Sequence, residues 1–375
     1  MGKRGNGEGG ISRRKDGLYM ARYTVQTPTG PKRKTIYGKT RREVDEKLTA
    51  AKADRDRGLL FDADSLTVGR YLERWLADSV RDTVKATTYE TYERLMRLHL
   101  VPTLGRLKLK NLTPTHVRGL YREKLDSGLS PSSVQRIHAL LHMALKQAVN
   151  DGLIPRNVTD PVKPPRQSRK EMKTLTPEQA HVFLQAAKDD RLGALYIVAI
   201  HTGLRQGELF GLSWDDIDLE AGTLSVHRTL SGAKGGPKFT TPKNNKTRRV
   251  RLTPQAAEAL RDHRKRQLEK RLRLAGLWQD QGLVFCSTVG TPLSRHNVYK
   301  RSFKPLLERA SFPRAFRFHD LRHTFATLMA CSGGHAKVVQ EMLGHATINI
   351  TLDLYSHVLP DMQENAVDRL GAMLS

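Results

Sequence analysis

Residues 202–209 read Thr-Gly-Leu-Arg-Gln-Gly-Glu-Leu. They follow an apolar helical run in which Leu195, Val198 and Ala199 share a buried face. Gly203 lets the chain turn sharply out of that helix, and a new helix is predicted to begin near Arg205. The first turn of a helix already favours phosphate, because its N–H groups lack intrahelical partners. A guanidinium there adds bidentate hydrogen bonding. Glu208 lies one turn on, on the same face, where it can orient Arg205. Alone, the stretch would also fit a solvated surface Arg–Glu pair, which contributes little. Leu212-Ser213-Trp214-Asp215-Asp216-Ile217 stands close behind it.

Four later stretches carry matching chemistry. Thr241–Arg249 (TPKNNKTRR) puts Lys243 at the tip of a predicted hairpin, beside Asn244-Asn245, which tolerate turn conformations. A lysine there can protonate a leaving oxygen or simply contact phosphate, and Lys246 is its rival. His319–Thr324 (HDLRHT) sets His319 and Arg322 three apart at the start of a helix, one to move a proton and one to grip an oxygen. H-x-x-R is weak alone, and His323 and His335 are read as structural. Leu343-Gly344-His345 follows a helix starting near His335 and ending at a C′ glycine. Thr351–His357 (TLDLYSH) contains Tyr355. A phenol with a pKa near ~10 attacks poorly unless a base takes its proton and cations stabilise the developing charge. The rival Tyr299 has no comparable surroundings. Each stretch has a bland reading; the ordered set of all five does not.

The chain as a whole agrees. Its 375 residues suggest two or three domains, and its net charge of +26 draws it to a polyanion. Charge says nothing about catalysis, and aromatics at 6% argue against stacking on single strands. No apolar run approaches the ~20 residues of a membrane span, no basic amphipathic helix suggests a membrane surface, and no secretory signal is read at the N-terminus. Cys286 and Cys331 lack any disulfide or metal-ligand spacing, so metal: none is the expectation. With no G-x-G-x-x-G or P-loop, cofactors: none follows.

Three segments separate. Near the N-terminus, β-rich Leu18–Val25, a turn at Pro28–Pro31 and a returning strand at Lys32–Tyr37 precede a helix from Thr40 to about Arg57. Within residues 1–40 ten basic side chains stand against two acidic ones. From 66 to 160 four helices are predicted, with Leu72, Trp75, Leu76 and Val80 on one face and Tyr89, Tyr92, Leu95, Met96, Leu98 and His99 on another. Thr113-Pro114 and Ser130-Pro131 start the third and fourth, the last with Val134, Ile137, Leu141, Leu145 and Ala148 inward. Pro155, Pro161, Pro164 and Pro165 exclude helix from a cationic linker. Beyond it helices dominate, started by Thr176-Pro177 and Thr253-Pro254, with strands at 223–229, 238–241 and 248–252 in a small antiparallel sheet.

On these residues the chain resembles the tyrosine recombinases, more narrowly the phage-type integrases, over nearly its whole length. The resemblance implies a mostly α fold with small antiparallel β-sheets (α+β): an N-terminal three-stranded sheet plus helix, a helical core-binding bundle and a mixed α/β catalytic domain. It implies an arm-type DNA-binding domain at 1–62, a core-binding (SAM-like) domain at 63–160, a basic linker at 161–173 and a catalytic domain at 174–375. It implies that Tyr355 is the nucleophile, that Arg205, Arg322 and His345 stabilise the pentavalent phosphorus, that Lys243 is the acid and His319 the base, with Glu208 orienting. The family lysine is followed by a polar turn and Ser/Thr-x-Arg, here Thr247 and Arg249; Asn244 departs from the commoner Thr. The arm contacts expected are Arg13, Arg14, Lys15, Arg22, Lys32, Arg33 and Lys34. Partners implied are double-stranded attachment sites, three further copies in a homotetramer, and DNA-bending and directionality proteins, in a bacterial cytoplasm; the C-terminal tail would pack either on a neighbouring copy or on its own domain. The activity expected is site-specific integration and excision of a phage or other mobile element, needing neither ATP nor metal. A chromosome-dimer recombinase lacks the first domain, a type IB topoisomerase relaxes one duplex as a monomer, and a DNA-binding regulator would keep only a vestigial site.

Overall fold

Alternating side chains near the N-terminus build an antiparallel sheet of β1 (Ile11–Arg13), β2 (Tyr19–Thr27) and β3 (Gly30–Gly38), in that order. The computed structural model describes residues 10–27, 30–56, 65–167, 172–233, 236–241, 247–355, 367–368 and 370–374. It divides into two units, Met1–Arg169 and Lys170–Ser375. The register pairs Ala21 with Ile36, Arg22 with Thr35 and Thr24 with Arg33. Neighbours along a strand face opposite ways. Ala21 and Tyr23 therefore meet Val44 and Leu48 of α1 (Arg41–Asp56), and Arg22 and Arg33 share the open face.

The helical part of this unit is α2 (Val68–Trp75), α3 (Ala86–Leu95), α4 (Val101–Leu104), α5 (Pro114–Asp126) and α6 (Pro131–Asn150). α2 and α3 each run into a π turn, at Leu76–Val80 and Met96–Leu100. The predicted caps are made: Thr113 and Ser130 hydroxyls accept from the backbone N–H of His116 and Ser133. Leu72, Leu100, Leu120, Ile137, Leu141 and Leu145 form a fully buried core. Tyr89 and Tyr92 pack against it, as packing residues would. The described residues between α6 and residue 177 form no helix or strand.

The second unit opens with α7 (Pro177–Ala187), α8 (Gly193–Thr202) and α9 (Gln206–Gly211). Five strands follow: β4 (Ile217–Asp218), β5 (Thr223–Val226), β6 (Thr229–Ala233), β7 (Gly236–Thr240) and β8 (Arg248–Arg251). Then come α10 (Pro254–Leu274), α11 (Arg295–Val298), α12 (Lys304–Arg309), α13 (Asp320–Cys331), α14 (Ala336–Leu343) and α15 (Ile348–Tyr355). The single sheet expected from the sequence is two: β4-β5-β8, and a separate β6-β7 hairpin. The break falls at His227-Arg228, where Arg228 Nε donates to the Gly211 carbonyl (2.7 Å) and pulls the chain out of β5. β7 consequently pairs with β6 and not with β8, and the hairpin tip read for Lys243 lies outside the described residues. Phe183, Tyr196, Phe210, Phe285 and Phe303 fill the main core. A smaller cluster joins α13, α14 and α15 through Phe325, Val339, Leu343, Leu354 and Tyr355.

Candidate active site

The last turn of a helix leaves carbonyls without intrahelical partners and carries partial negative charge. At the end of α14, three successive carbonyls are each taken by a different arginine. Arg248 Nε donates to Met342 O (2.7 Å), Arg322 Nη2 to Leu343 O (2.7 Å) and Arg205 Nη2 to Gly344 O (3.0 Å). Arg322 Nη1 also donates to Gly203 O at the end of α8 (2.8 Å). Two helix C-termini thus hold arginines as distant in sequence as Arg205 and Arg322.

Both ends depend on glycine. Gly203 and Gly344 each have φ of +64°, the left-handed region that side chains disfavour. A Cβ on Gly203 would meet Phe325 Cδ1 at 2.4 Å; one on Gly344 would come within 3.0 Å of Arg248 Nη1. The Gly203 turn admits Phe325 of α13, and the Gly344 turn admits Arg248 itself.

Glu208 lies beneath the cluster, 2% exposed. Its Oε1 accepts from Arg205 Nη1 (2.9 Å) and Arg248 Nη1 (3.1 Å). Its Oε2 accepts from the Arg205 backbone N–H (2.9 Å) and Arg248 Nη2 (2.6 Å). Burial pushes this carboxyl up, but Arg248 and Arg205 outweigh burial and hold it below the usual range. Glu208 bonds Arg205, the residue the sequence pairs it with; its second arginine, Arg248, is new.

Arg322 is 3% exposed. Burial, then the charge of Arg205, lowers its pKa to about 9, so it stays cationic at neutral pH. His345 follows Gly344, with Nδ1 in a hydrogen bond to Thr351 Oγ1 (2.9 Å). Burial and the nearby Arg322 and Arg205 charges bring its pKa to about 3. His319 is the N-cap residue of α13 but makes no side-chain capping bond. Its ring stands edge-on to His323, centroids 4.9 Å apart. Desolvation by the surrounding protein, then the His323 and Arg322 charges, lowers its pKa to about 4, although the residue as a whole is exposed. Both imidazoles are neutral at pH 7 and can accept a proton. Beside the cluster a cleft of about 740 Å3 is lined by Arg205, Arg248, Arg249, Arg251, Gly344 and His345, among others.

Tyr355, the last residue of α15, is 5% exposed. Its hydroxyl donates to Gly334 O (2.8 Å), not to the arginine cluster, and burial raises its pKa. The structure therefore brings together Arg205, Glu208, Arg322 and His345, with His319 beside them through α13. It holds the Tyr355 hydroxyl on a backbone carbonyl instead. Lys243 lies outside the described residues, as does the side chain of Lys32.

The sequence reading missed Arg248 and favoured Arg249. Strand alternation distinguishes them: Val250 faces the core at 1% exposure, so Arg248 faces inward and Arg249 outward. Arg249 Nε donates to Thr223 Oγ1 at the surface (3.0 Å). At the N-terminal sheet, Arg22 and Arg33 lie on the open face. Arg13 stacks over Tyr19, Arg14 over Tyr37 with an ion pair to Asp16, Lys15 occupies the β1–β2 turn, and Lys34 shares the α1 side with Tyr23.

Comparison with known proteins bears on these residues. The model of the phage integrase family matches residues 173–362, and that of the phage integrase N-terminal SAM-like domain matches 67–125. A tyrosine recombinase XerC-like protein of Caldanaerobacter subterraneus subsp. tengcongensis is 32% identical over 359 residues, covering 90% of this chain and 91% of its own. An integrase of Streptomyces ambofaciens is 31% identical, covering 88% and 86%. Among solved structures, the Tn1549 transposon integrase in complex with a circular intermediate DNA shares the fold with a TM-score of 0.70, at 23% identity over 81% of this chain and 100% of that one. A lambda integrase dimer bound to a COC' core site gives 0.58, at 20% identity over 94% and 96%.

Proposed function

We infer the chemistry of this site from one premise: the chain belongs to the phage integrase family and is a site-specific tyrosine recombinase, an enzyme that cuts and rejoins DNA. The scissile phosphate enters the cleft beside α14 with its non-bridging oxygens towards Arg205 and Arg322. The observation that supports this is their anchoring on adjacent carbonyls, Gly344 and Leu343. Guanidiniums fixed before substrate arrives need little reorganisation as charge builds on the phosphorane. His345, neutral and next to Gly344, donates a further hydrogen bond to it.

Tyr355 exchanges its hydrogen bond to Gly334 for the phosphate. Its Oη–P bond forms as the P–O5′ bond breaks. His319 takes the phenolic proton, and Lys243 gives one to the departing 5′ oxygen. The 3′-phosphotyrosyl bond conserves the phosphodiester linkage, so attack by a 5′-hydroxyl of another strand rejoins DNA without ATP. Residues 174–375 carry this chemistry and 63–160 grip the core site across the linker 161–173. Residues 1–62 bind a separate arm site through the open sheet face bearing Arg22 and Arg33, as a β-sheet can in a major groove. Four copies act on two duplexes, integrating and excising a mobile element in a bacterial cell, with DNA-bending and directionality proteins as further partners.

A nicked suicide duplex tests this reading. Wild type forms a covalent adduct and transfers a strand between duplexes. Tyr355→Phe binds but forms no adduct. Normal adduct yield from Tyr355→Phe would overturn the assignment, and relaxation of one duplex without strand transfer would make it a type IB topoisomerase-like enzyme.

A further inference from the structure

We propose that Arg248 is a positioning residue for DNA cleavage, acting on Arg205 both through Glu208 and, through Met342, on the α14 end whose Gly344 carbonyl holds Arg205. The inference rests on the reading of Arg205 as a phosphate ligand and adds a residue that lines the same cleft but has each guanidinium nitrogen on a protein acceptor.

Four donors meet the Glu208 carboxylate, two from Arg205 and two from Arg248. Arg248 makes the bidentate pair that a guanidinium alone can make with a carboxylate. Its side chain is 11% exposed, whereas that of Arg205 is 27% exposed. Arg248 has all three guanidinium nitrogens on protein acceptors, whereas Arg205 has two and is the more exposed. With Arg248 in place, Glu208 has one orientation, and that orientation fixes both the backbone and the guanidinium of Arg205. Through Nε on Met342 O, the same side chain ties β8 to the α14 terminus, two residues before the Gly344 carbonyl that holds Arg205 and three before His345.

Misplacing a reacting or binding group by ~1 Å can cost about 100-fold in rate. Lysine in place of Arg248 keeps one charge but loses the planar fork, so Arg248→Lys in the full chain is expected to slow adduct formation by about that factor. The probe is a nicked duplex carrying the cleavage site mapped with wild type. DNA affinity and the thermal transition serve as controls for folding. The decisive readout is a double-mutant cycle. On an Arg205→Ala background the Arg248→Lys substitution should cost less than about threefold further, because the group it positions is already gone. A full, additive penalty on that background, or wild-type rates from Arg248→Lys alone, overturns the proposal. Glu208→Gln with Arg248→Gln removes both buried charges together and gives a second, independent variant; it too should cleave slowly with its thermal transition kept, and wild-type cleavage by it counts against the proposal. Absence of any adduct from wild type would instead refute the underlying cleavage reading.

Discussion

The helical bundle and the unit around α14 treat charge in opposite ways. The bundle core of Leu72, Leu100, Leu120, Ile137 and Leu141 is apolar. Its one buried charged residue among those described, Lys124 at 8% exposure, runs its stem past that core and pairs with Glu123 at the edge. The second unit buries Glu208 at 2%, Asp320 at 0% and Arg322 at 3%. Removing an ion from water costs several kcal/mol, offset only where its hydrogen-bonding sites find partners. Here they do: Asp320 accepts from the Arg317 backbone (2.7 Å) and guanidinium (2.7 Å), and Arg322 holds two helix ends. The bundle packs around leucine and other apolar side chains without such ions. The buried ions therefore point to chemistry rather than to folding.

One pair of substitutions would break the comparison most visibly. Arg322→Ala should lower cleavage by ~10²–10³-fold, the effect of losing one strong transition-state donor. It also strips the Gly203 and Leu343 carbonyls of their partner, costing about 3 kcal/mol of stability. Leu141→Ala in the bundle should cost a similar ~3 kcal/mol through its cavity while leaving the cleavage rate of the bound complex nearly unchanged. Urea denaturation alongside single-turnover cleavage would check both. Equal losses of cleavage from the two would erase the distinction drawn between the regions.

Acid sharpens it next. His345 and His319 have folded pKa values of about 3 and about 4, below the ordinary value near 6.5. Between those limits the unfolded chain binds more protons than the folded one, so stability falls as pH falls. It is whole above about pH 6.5 and drains away towards pH 4. The thermal midpoint of the full chain should drop on acidification through that window, and less steeply in His345→Asn. An identical slope in that variant would remove His345 from the account.

Much of this was legible in the sequence. Thr113-Pro114, Ser130-Pro131, Thr176-Pro177 and Thr253-Pro254 start helices because a hydroxyl cap and a proline at N1 are local signals. The glycine turns at 203 and 344 were equally local. The split into two sheets was not, because it follows from Arg228 reaching back to Gly211. Arg248 was legible in principle, since Val250 sets the inward face of β8, but a short strand crowded with arginines hides that alternation. The hydrogen bond of Tyr355 to Gly334 had no signal at all: it joins residues whose approach depends on how α13, α14 and α15 pack.

The smallest effect concerns the N-terminal sheet. Arg22→Gln or Arg33→Gln, on the open face, should each reduce the salt slope of arm-DNA binding by about 0.9. Arg13→Gln, stacked over Tyr19, should change it less. Equal changes at all three would show that the sheet has no preferred DNA face.

The most direct test is to trap the wild-type adduct on a suicide duplex, digest it and locate the nucleotide by mass spectrometry. The nucleotide mass should sit on the peptide containing Tyr355, despite the bond that holds this hydroxyl on Gly334 in the structure. A nucleotide found on the Tyr299 peptide, or on any other residue, would contradict the account.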